Sequence, residues 1–468
     1  ERFIFYTAAC RPSETLTLVY PVSDLSSGAL RCSVGVMRVR SLFPSVKTVR
    51  FGDRPEDLFF SRRAVAERLY RLPDDAAARK ILAEKGMLPA ALGPISDPHA
   101  SVRYESDTVR LSPNRMDTYA YCAFSYYGRY LLGLKGSRKA KIDRPEIGVF
   151  IHSLLENFVR GRVAGGIFSP LDEPGIKSWV DEFTSGYMSR LGIDCAAPGG
   201  RRMKYAFDKL RLTAVLLLEN ICGELAESEF VPAAFELGIG MGESGAQGIT
   251  LRTETGVTVT LSGIADRVDV MKKNGKTYIR VIDYKTGKKQ YDKRAVENGI
   301  DLQMLYYLFA LCAADKSGNT LPAGVLYVPA KLPKIDGDDA EDAERMKRTL
   351  EKKFRRSGLL IDDEQILTAM EKLPGERFLP VRKNKNGEYS ATSSLADLET
   401  LGRLEEKIMH YIAMIGRCIS EGGMDVSPLE LDGAHTACAF CELGPVCRLS
   451  DDGGLRRSAN TLFSEAGK

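Results

Sequence analysis

The stretch GIADRVDVMKKNGKTYIRVIDYKTGKK, residues 263–289, narrows the possible folds more than any other part of the chain. Asn274-Gly275 fits the positive φ angles of a tight two-residue turn, and apolar-rich segments flank it on both sides. That pattern predicts a β-hairpin. The first strand carries Asp266 among apolar neighbours, and the second ends in Asp283-Tyr284-Lys285. Side chains alternate along a strand, so Asp283 and Lys285 share one face and Tyr284 takes the other. Two carboxylates and a lysine therefore gather at one end of a hairpin that otherwise looks buried. Asp269 is expected to face solvent or to pair with Arg267.

Such a gathering suits phosphodiester hydrolysis. Asp266 and Asp283 would hold Mg²⁺, a hard cation that takes oxygen ligands and keeps several waters. The metal lowers the pKa of a bound water and offsets charge on the phosphate. Lys285 is a point charge able to orient the attacking water or to neutralise the transition state. The backbone carbonyl of Tyr284 is a further candidate ligand, since main-chain oxygen coordinates as well as side-chain oxygen.

The chain has 468 residues, which suggests two to four domains, and 44% hydrophobic against 27% charged residues is a globular composition. The formal net charge is only +4, so a nucleic-acid surface has to come from local basic patches. Three are visible: residues 201–211, 344–356 and 382–387. No apolar run is long enough to cross a bilayer, and the opening ERFIFYTAAC has neither a signal-peptide pattern nor an initiator Met. A cytoplasmic piece of a longer protein is expected.

Helical periodicity predicts helices over 145–165, 174–192, 203–228, 294–314 and 394–421. Another, rich in aromatics, should begin after Ser112-Pro113, a cap followed by proline at the first helical position. The run Tyr119, Tyr121, Phe124, Tyr126, Tyr127 is expected mainly as core. A meander of strands is expected over 249–261, 262–271 and 277–285, with a short buried strand over 323–329. The charged segment 336–358 reads as a surface helix or an insertion. A strand, LTLVYP, should follow the first helix. The glycine-rich segment 238–248 lacks a Gly-Lys-Ser/Thr ending and reads as a loop between strands.

Most of the ten cysteines are isolated and read as reduced core thiols. Cys438, Cys441 and Cys447 differ, because their spacing makes a tight thiolate cluster in an irregular tail. A Cys₄ zinc site and a [4Fe–4S] cluster both need a fourth ligand. Cys122 is the candidate and would tie together two regions more than 300 residues apart; His435 competes and would favour zinc.

With these residues in view, GIADRVD…VIDYKTG resembles the core of RecB-type nucleases of the PD-(D/E)XK superfamily. Their upstream helical histidine is matched by His152 in GVFIHSLLE, and their downstream Gln-x-x-x-Tyr by Gln303 and Tyr307 in DLQMLYYLF. The resemblance implies that His152, Asp266 and Asp283 bind the metal. It implies that Lys285 acts catalytically and that Gln303 and Tyr307 position DNA or the scissile phosphate. Glu156, one turn after His152, reads as an exposed helix residue. The cysteine arrangement resembles the iron–sulfur nuclease domain of AddB-type helicase–nuclease subunits, which implies a [4Fe–4S] cluster held by Cys122, Cys438, Cys441 and Cys447. The opening FYTAACRPSETLTLVYP is similar to the last motif of superfamily 1 helicases, although Cys10-Arg11 replaces the usual Thr-Arg and Arg11 receives no catalytic role.

The expected fold is α/β. Residues 1–107 would be a remnant of a helicase-like α/β domain and linker. Residues 108–468 would form a PD-(D/E)XK core, a mixed sheet flanked by helices, with helical additions closed by the Fe–S cluster. The implied activity is a Mg²⁺-dependent exonuclease on single strands from double-strand DNA ends, in recombinational repair, with an AddA-type motor subunit as partner. The competing expectations are a DNA-end or partner-binding Fe–S module with a silent nuclease site, and a free-standing RecB-like nuclease.

Overall fold

The computed structural model describes residues 2–22, 30–49, 80, 108–134, 144–192, 198–242, 245–287, 290–331, 343–390, 392–431, 437–439, 441–447, 449 and 456–457. The chain divides into two compact units, residues 1–96 and 97–468. In the first, α1 spans Arg2–Ala9 and α2 spans Val34–Leu42. Ser33 caps α2 by accepting a hydrogen bond from the Val36 N–H. The strand expected at LTLVYP is absent, and those residues run on as irregular chain.

The second unit begins with β1 (Thr108–Leu111) and α3 (Pro113–Tyr121), capped as expected by the Ser112 hydroxyl, which accepts from the Arg115 N–H. This helix breaks at Cys122, whose backbone is extended (φ −165°, ψ 115°), and resumes as α4 (Ala123–Tyr126) and a π-helical turn, Tyr127–Leu131. Tyr119 and Tyr126 are buried and meet edge to face, as core aromatics do. Next come α5 (Arg144–Arg160), the short pair β2 (Val163–Ala164) and β3 (Ile167–Phe168), α6 (Glu173–Arg190) and α7 (Pro198–Glu227). Helix α5 stops earlier than the sequence suggests. Gly165 and Gly166 belong to the turn between β2 and β3, where both take positive φ.

The strands are β4 (Val231–Ile239), β5 (Thr250–Arg252), β6 (Thr258–Leu261), β7 (Gly263–Lys273) and β8 (Lys276–Lys285). Asn274 and Gly275 adopt φ 53° and 73° in the turn between β7 and β8. After α8 (Lys293–Glu297) and α9 (Gln303–Ala313) come β9 (Thr320–Pro329), α10 (Ala343–Phe354), β10 (Ser357–Ile361) and α11 (Glu364–Met370). The chain ends with β11 (Leu395–Ala396), α12 (Leu398–Ser420) and the short α13 (Gly444–Cys447). The single helix expected over 294–314 is two, because Gly299 and Asp301 take φ 74° and 61° between α8 and α9.

Six strands form the central sheet in the order β11-β10-β9-β8-β7-β4. It is mixed: β8 with β9 and β10 with β11 are parallel, while β4–β7, β7–β8 and β9–β10 are antiparallel. Helix α9 supplies the long connection that the parallel β8–β9 pair requires. The expected meander is corrected in one respect. Residues 249–261 give two strands, β5 and β6, which pair with each other, and β6 pairs in turn with β1 in a separate three-stranded sheet. The apolar faces of α5, α6, α7, α9 and α12 join the sheet in one continuous core.

Candidate metal centre at the edge of the hairpin

The register of the hairpin sorts its charged residues between two faces. Arg267 pairs with Ile282 and Asp269 with Arg280, so these four and Tyr284 lie on one face. Asp266, Asp283 and Lys285 lie on the other, as the alternation in the sequence predicts. The Lys285 ammonium stands 2.7 Å from Asp283 Oδ2. Asp266 Oδ2 accepts a hydrogen bond from the Tyr284 N–H at 2.9 Å, which locks the two strand ends together.

Two more elements complete the cluster. His152, near the middle of α5, donates from Nε2 to the Tyr284 carbonyl at 2.8 Å and places Nδ1 3.3 Å from Asp266 Oδ2. The carbonyl considered as a metal ligand is thus held by His152 here. On the other side, β4 pairs with β7 through Phe235–Arg267 and Leu237–Ala265, and these pairs bracket Glu236 beside Asp266. Glu236 Oε1 lies 3.9 Å from His152 Nδ1. His152, Glu236 and Asp266 each offer a ligand atom, and these atoms all fall within 4.8 Å of one another. Glu236 was missed by sequence reasoning. Its backbone has φ 45°, unusual for a residue other than glycine, and a register shift lies just upstream between Pro232 and Ala234.

The electrostatics are those of crowded carboxylates. Burial pushes Asp266 up to about 7, and the neighbouring Asp283 charge adds to the shift. For His152, burial pulls downward, but the nearby Glu236 and Asp266 carboxylates outweigh it, and its pKa rises to about 8. Asp283 Oδ2 is buried and accepts no hydrogen bond of good geometry, despite the nearby ammonium. Three carboxylates, one of them ion-paired to Lys285, and an imidazole form a donor set that fits a divalent cation. His152, Glu236, Asp266 and Asp283 are the residues that would hold it.

Gln303 and Tyr307 occupy the first turns of α9. Tyr307 is buried; its hydroxyl accepts from the Ile264 N–H at 3.2 Å and from Gln303 Nε2 at 3.3 Å. It reaches the site through Ile264, two residues before Asp266, and through Gln303. The close approach explains Gly263, where a Cβ would lie 2.4 Å from the Tyr307 oxygen. Glu156 pairs with Arg160 at 2.6 Å and is half-buried rather than exposed. Of the basic stretches, Arg356 is buried and Lys383 pairs with Glu364.

Cys122, Cys441 and Cys447 lie near enough to Cys438 to act on its thiol. Burial raises the Cys438 thiol, and proximity to Cys122, Cys441 and Cys447 adds to that rise while Arg456 opposes it. Backbone hydrogen bonds tie the tail to the break in the aromatic helix: Leu429 N–H to the Tyr121 carbonyl at 2.8 Å, and Phe124 N–H to the Asp425 carbonyl at 3.2 Å. His435 lies outside the described residues.

The sequence profile of the PD-(D/E)XK nuclease superfamily matches residues 110–448, most of the chain and all of this site. The chain belongs to this superfamily. Among curated proteins, this PD-(D/E)XK chain is similar to bacterial proteins named as one subunit of an ATP-dependent helicase/deoxyribonuclease. It is 29% identical to that of Acetivibrio thermocellus, over 76% of this chain and 31% of the relative. It is 29% identical to that of Moorella thermoacetica, over 98% of this chain and 43% of the relative. For Clostridium tetani the identity is 25%, over 96% and 42%. The chain thus spans less than half the length of the relatives it matches. Among the described residues no helix is long and apolar enough to cross a membrane.

Proposed function

We propose that this PD-(D/E)XK chain is a Mg²⁺-dependent deoxyribonuclease, the nuclease part of an AddB-like helicase–nuclease. The observation that carries this reading is the convergence of His152, Glu236 and Asp266 within 4.8 Å at the end of the hairpin, with the Asp283–Lys285 pair beside them. In such a site the cation supplies charge neutralisation and an acidified water. The protein residues do the rest. Asp266 and Asp283 present carboxylate oxygens, and His152 holds the carbonyl of Tyr284, whose N–H ties Asp266 to the second strand. Lys285 is held close by Asp283 and would supply positive charge to a phosphate there. Gln303, tied to Tyr307, would position the DNA or the scissile phosphate.

The substrate would be single strands released from a double-strand DNA end, cut exonucleolytically during recombinational repair in the cytoplasm. The relatives' name, a subunit of an ATP-dependent helicase/deoxyribonuclease, supports a motor partner of the AddA type. Cys122, Cys438, Cys441 and Cys447 would hold a [4Fe–4S] cluster that closes the domain. The intact carboxylates and lysine favour an enzyme over a silent binding module.

The test is digestion of end-labelled single-stranded DNA with Mg²⁺ by iron-loaded protein, comparing wild type with Asp283→Ala and Lys285→Ala. Loss of activity in both variants is expected. An unchanged rate in either overturns the assignment of that residue, and unchanged rates in both overturn the site.

A further inference from the structure

We infer that Arg267 is a positioning residue for the metal centre, acting from the reverse face of the sheet through the hydroxyl of Tyr284. The inference rests on the metal-site reading above and adds to it a network of side chains on the reverse face, which meets the candidate ligands only through the Tyr284 backbone.

The Tyr284 peptide belongs to the site on both sides. Its N–H donates to Asp266, and its carbonyl accepts from His152. Its side chain points the other way, where Arg267 Nη1 donates to the phenol oxygen at 2.7 Å. Arg267 is itself clamped by Asp269 in a fork, Nε to Oδ1 at 2.8 Å and Nη2 to Oδ2 at 3.0 Å. Asp269 Oδ2 also accepts from Arg280 Nε at 2.9 Å. Arg280 Nη2 lies 3.3 Å from Glu224 Oε1 on α7, and Glu224 Oε2 accepts from Arg356 Nη2 at 2.6 Å. Arg267, Asp269 and Arg280 have no exposure, and Glu224 and Arg356 almost none.

Three guanidinium groups and two carboxylates are therefore sealed beneath the site. Sequestering charges this way seldom stabilises a fold more than well-packed apolar residues would. A rigid fork does something apolar packing cannot: it fixes a hydroxyl, and so a side chain and its peptide, at one position. The arrangement along the chain points the same way. Each hairpin carboxylate of the site has its immediate neighbour in the network: Arg267 follows Asp266 and Tyr284 follows Asp283. The Arg267–Tyr284 bond crosses between the strands at the level of the site, so it ties together the chain behind the two carboxylates. It also places one net positive charge behind them.

The test is calorimetric titration of Mn²⁺ into metal-free protein. The wild type is compared with Tyr284→Phe, which removes one oxygen and keeps the ring, and with Asp269→Asn, which loosens Arg267 from its far side. Glu371→Gln serves as the control for lost stability alone, since Glu371 belongs to a separate loop. Partners that orient metal ligands typically contribute ten- to a hundredfold in affinity. Tyr284→Phe is expected to raise the Mn²⁺ dissociation constant about tenfold, with Asp269→Asn shifting it the same way and Glu371→Gln leaving it in place. In steady-state digestion the metal KM should rise more than kcat falls. An unchanged dissociation constant in folded Tyr284→Phe overturns the inference and leaves the network purely structural. An equal loss in Glu371→Gln overturns it too. If Tyr284→Phe does not fold, Asp269→Asn decides the same question. A wild type that binds no Mn²⁺ overturns the metal reading itself.

Discussion

Replacing Glu236 by glutamine keeps the size of the side chain and removes one negative charge 3.9 Å from His152 Nδ1. Unit charges at that distance interact by about 4 kcal/mol at an effective dielectric of about 20. Both groups are about one-third exposed, at 29% and 38%, so water screens the pair and about 1 kcal/mol survives. That corresponds to somewhat less than one pKa unit. A second effect limits the fall further. Glu236 also raises Asp266, so its loss frees Asp266 to ionise, and Asp266 Oδ2 remains 3.3 Å from the imidazole. His152 should therefore titrate below its starting value of about 8 by half a unit to one unit, still above an ordinary histidine. The assay is a proton NMR titration of the imidazole Cε1–H in metal-free protein. The chain has only four histidines, so His152→Gln identifies the resonance. A midpoint that stays within about 0.2 units of wild type refutes the placement of Glu236 against His152.

Metal binding should release protons at neutral pH, because His152 and Asp266, raised to about 8 and about 7, hold protons there that a cation has to displace. Apparent Mn²⁺ affinity should accordingly climb from about pH 6 to about pH 8 and then level; calorimetry in buffers of different ionisation enthalpy checks this, and no proton uptake by buffer at pH 7 contradicts it. Gly263→Ala would set a Cβ 2.4 Å from the Tyr307 oxygen, so it should lower stability by about 1–3 kcal/mol in urea unfolding and also weaken nuclease turnover, since the displaced tyrosine carries Gln303. Glu371→Gln acts elsewhere. The Glu371 carboxylate accepts from four backbone N–H groups, those of Gly375, Arg377, Phe378 and Leu379, and an amide nitrogen can accept from none of the two it would face. The loss should be about 2–6 kcal/mol of unfolding free energy, with Mn²⁺ affinity retained.

The hairpin and its front face were legible because local rules decide them. Asn274-Gly275 sets the turn, the turn sets the register, and strict alternation then places Asp283 with Lys285. His152 was legible only through resemblance, because nothing in a lone helical histidine says which strand end it meets. Glu236 left no comparable signal. VPAAFELGI reads as an ordinary strand, and only the irregular pairing of β4 with β7 and the φ of 45° bring that carboxylate beside Asp266. Asp269 was read as solvent-facing or paired with Arg267. It is paired, yet fully buried, because Glu224 and Arg356 arrive from distant parts of the chain to complete a charge network. The same limit explains the small sheet of 250–252 and 258–261: the strand that completes it, β1 beside 258–261, lies about 150 residues upstream.

The most direct test of the metal centre is anomalous diffraction from crystals soaked in Mn²⁺. One strong peak bounded by His152, Glu236, Asp266 and Asp283, and lost in Asp283→Ala, is the predicted result. Mn²⁺ bound only elsewhere, or a peak at this edge unchanged in Asp283→Ala, would contradict it.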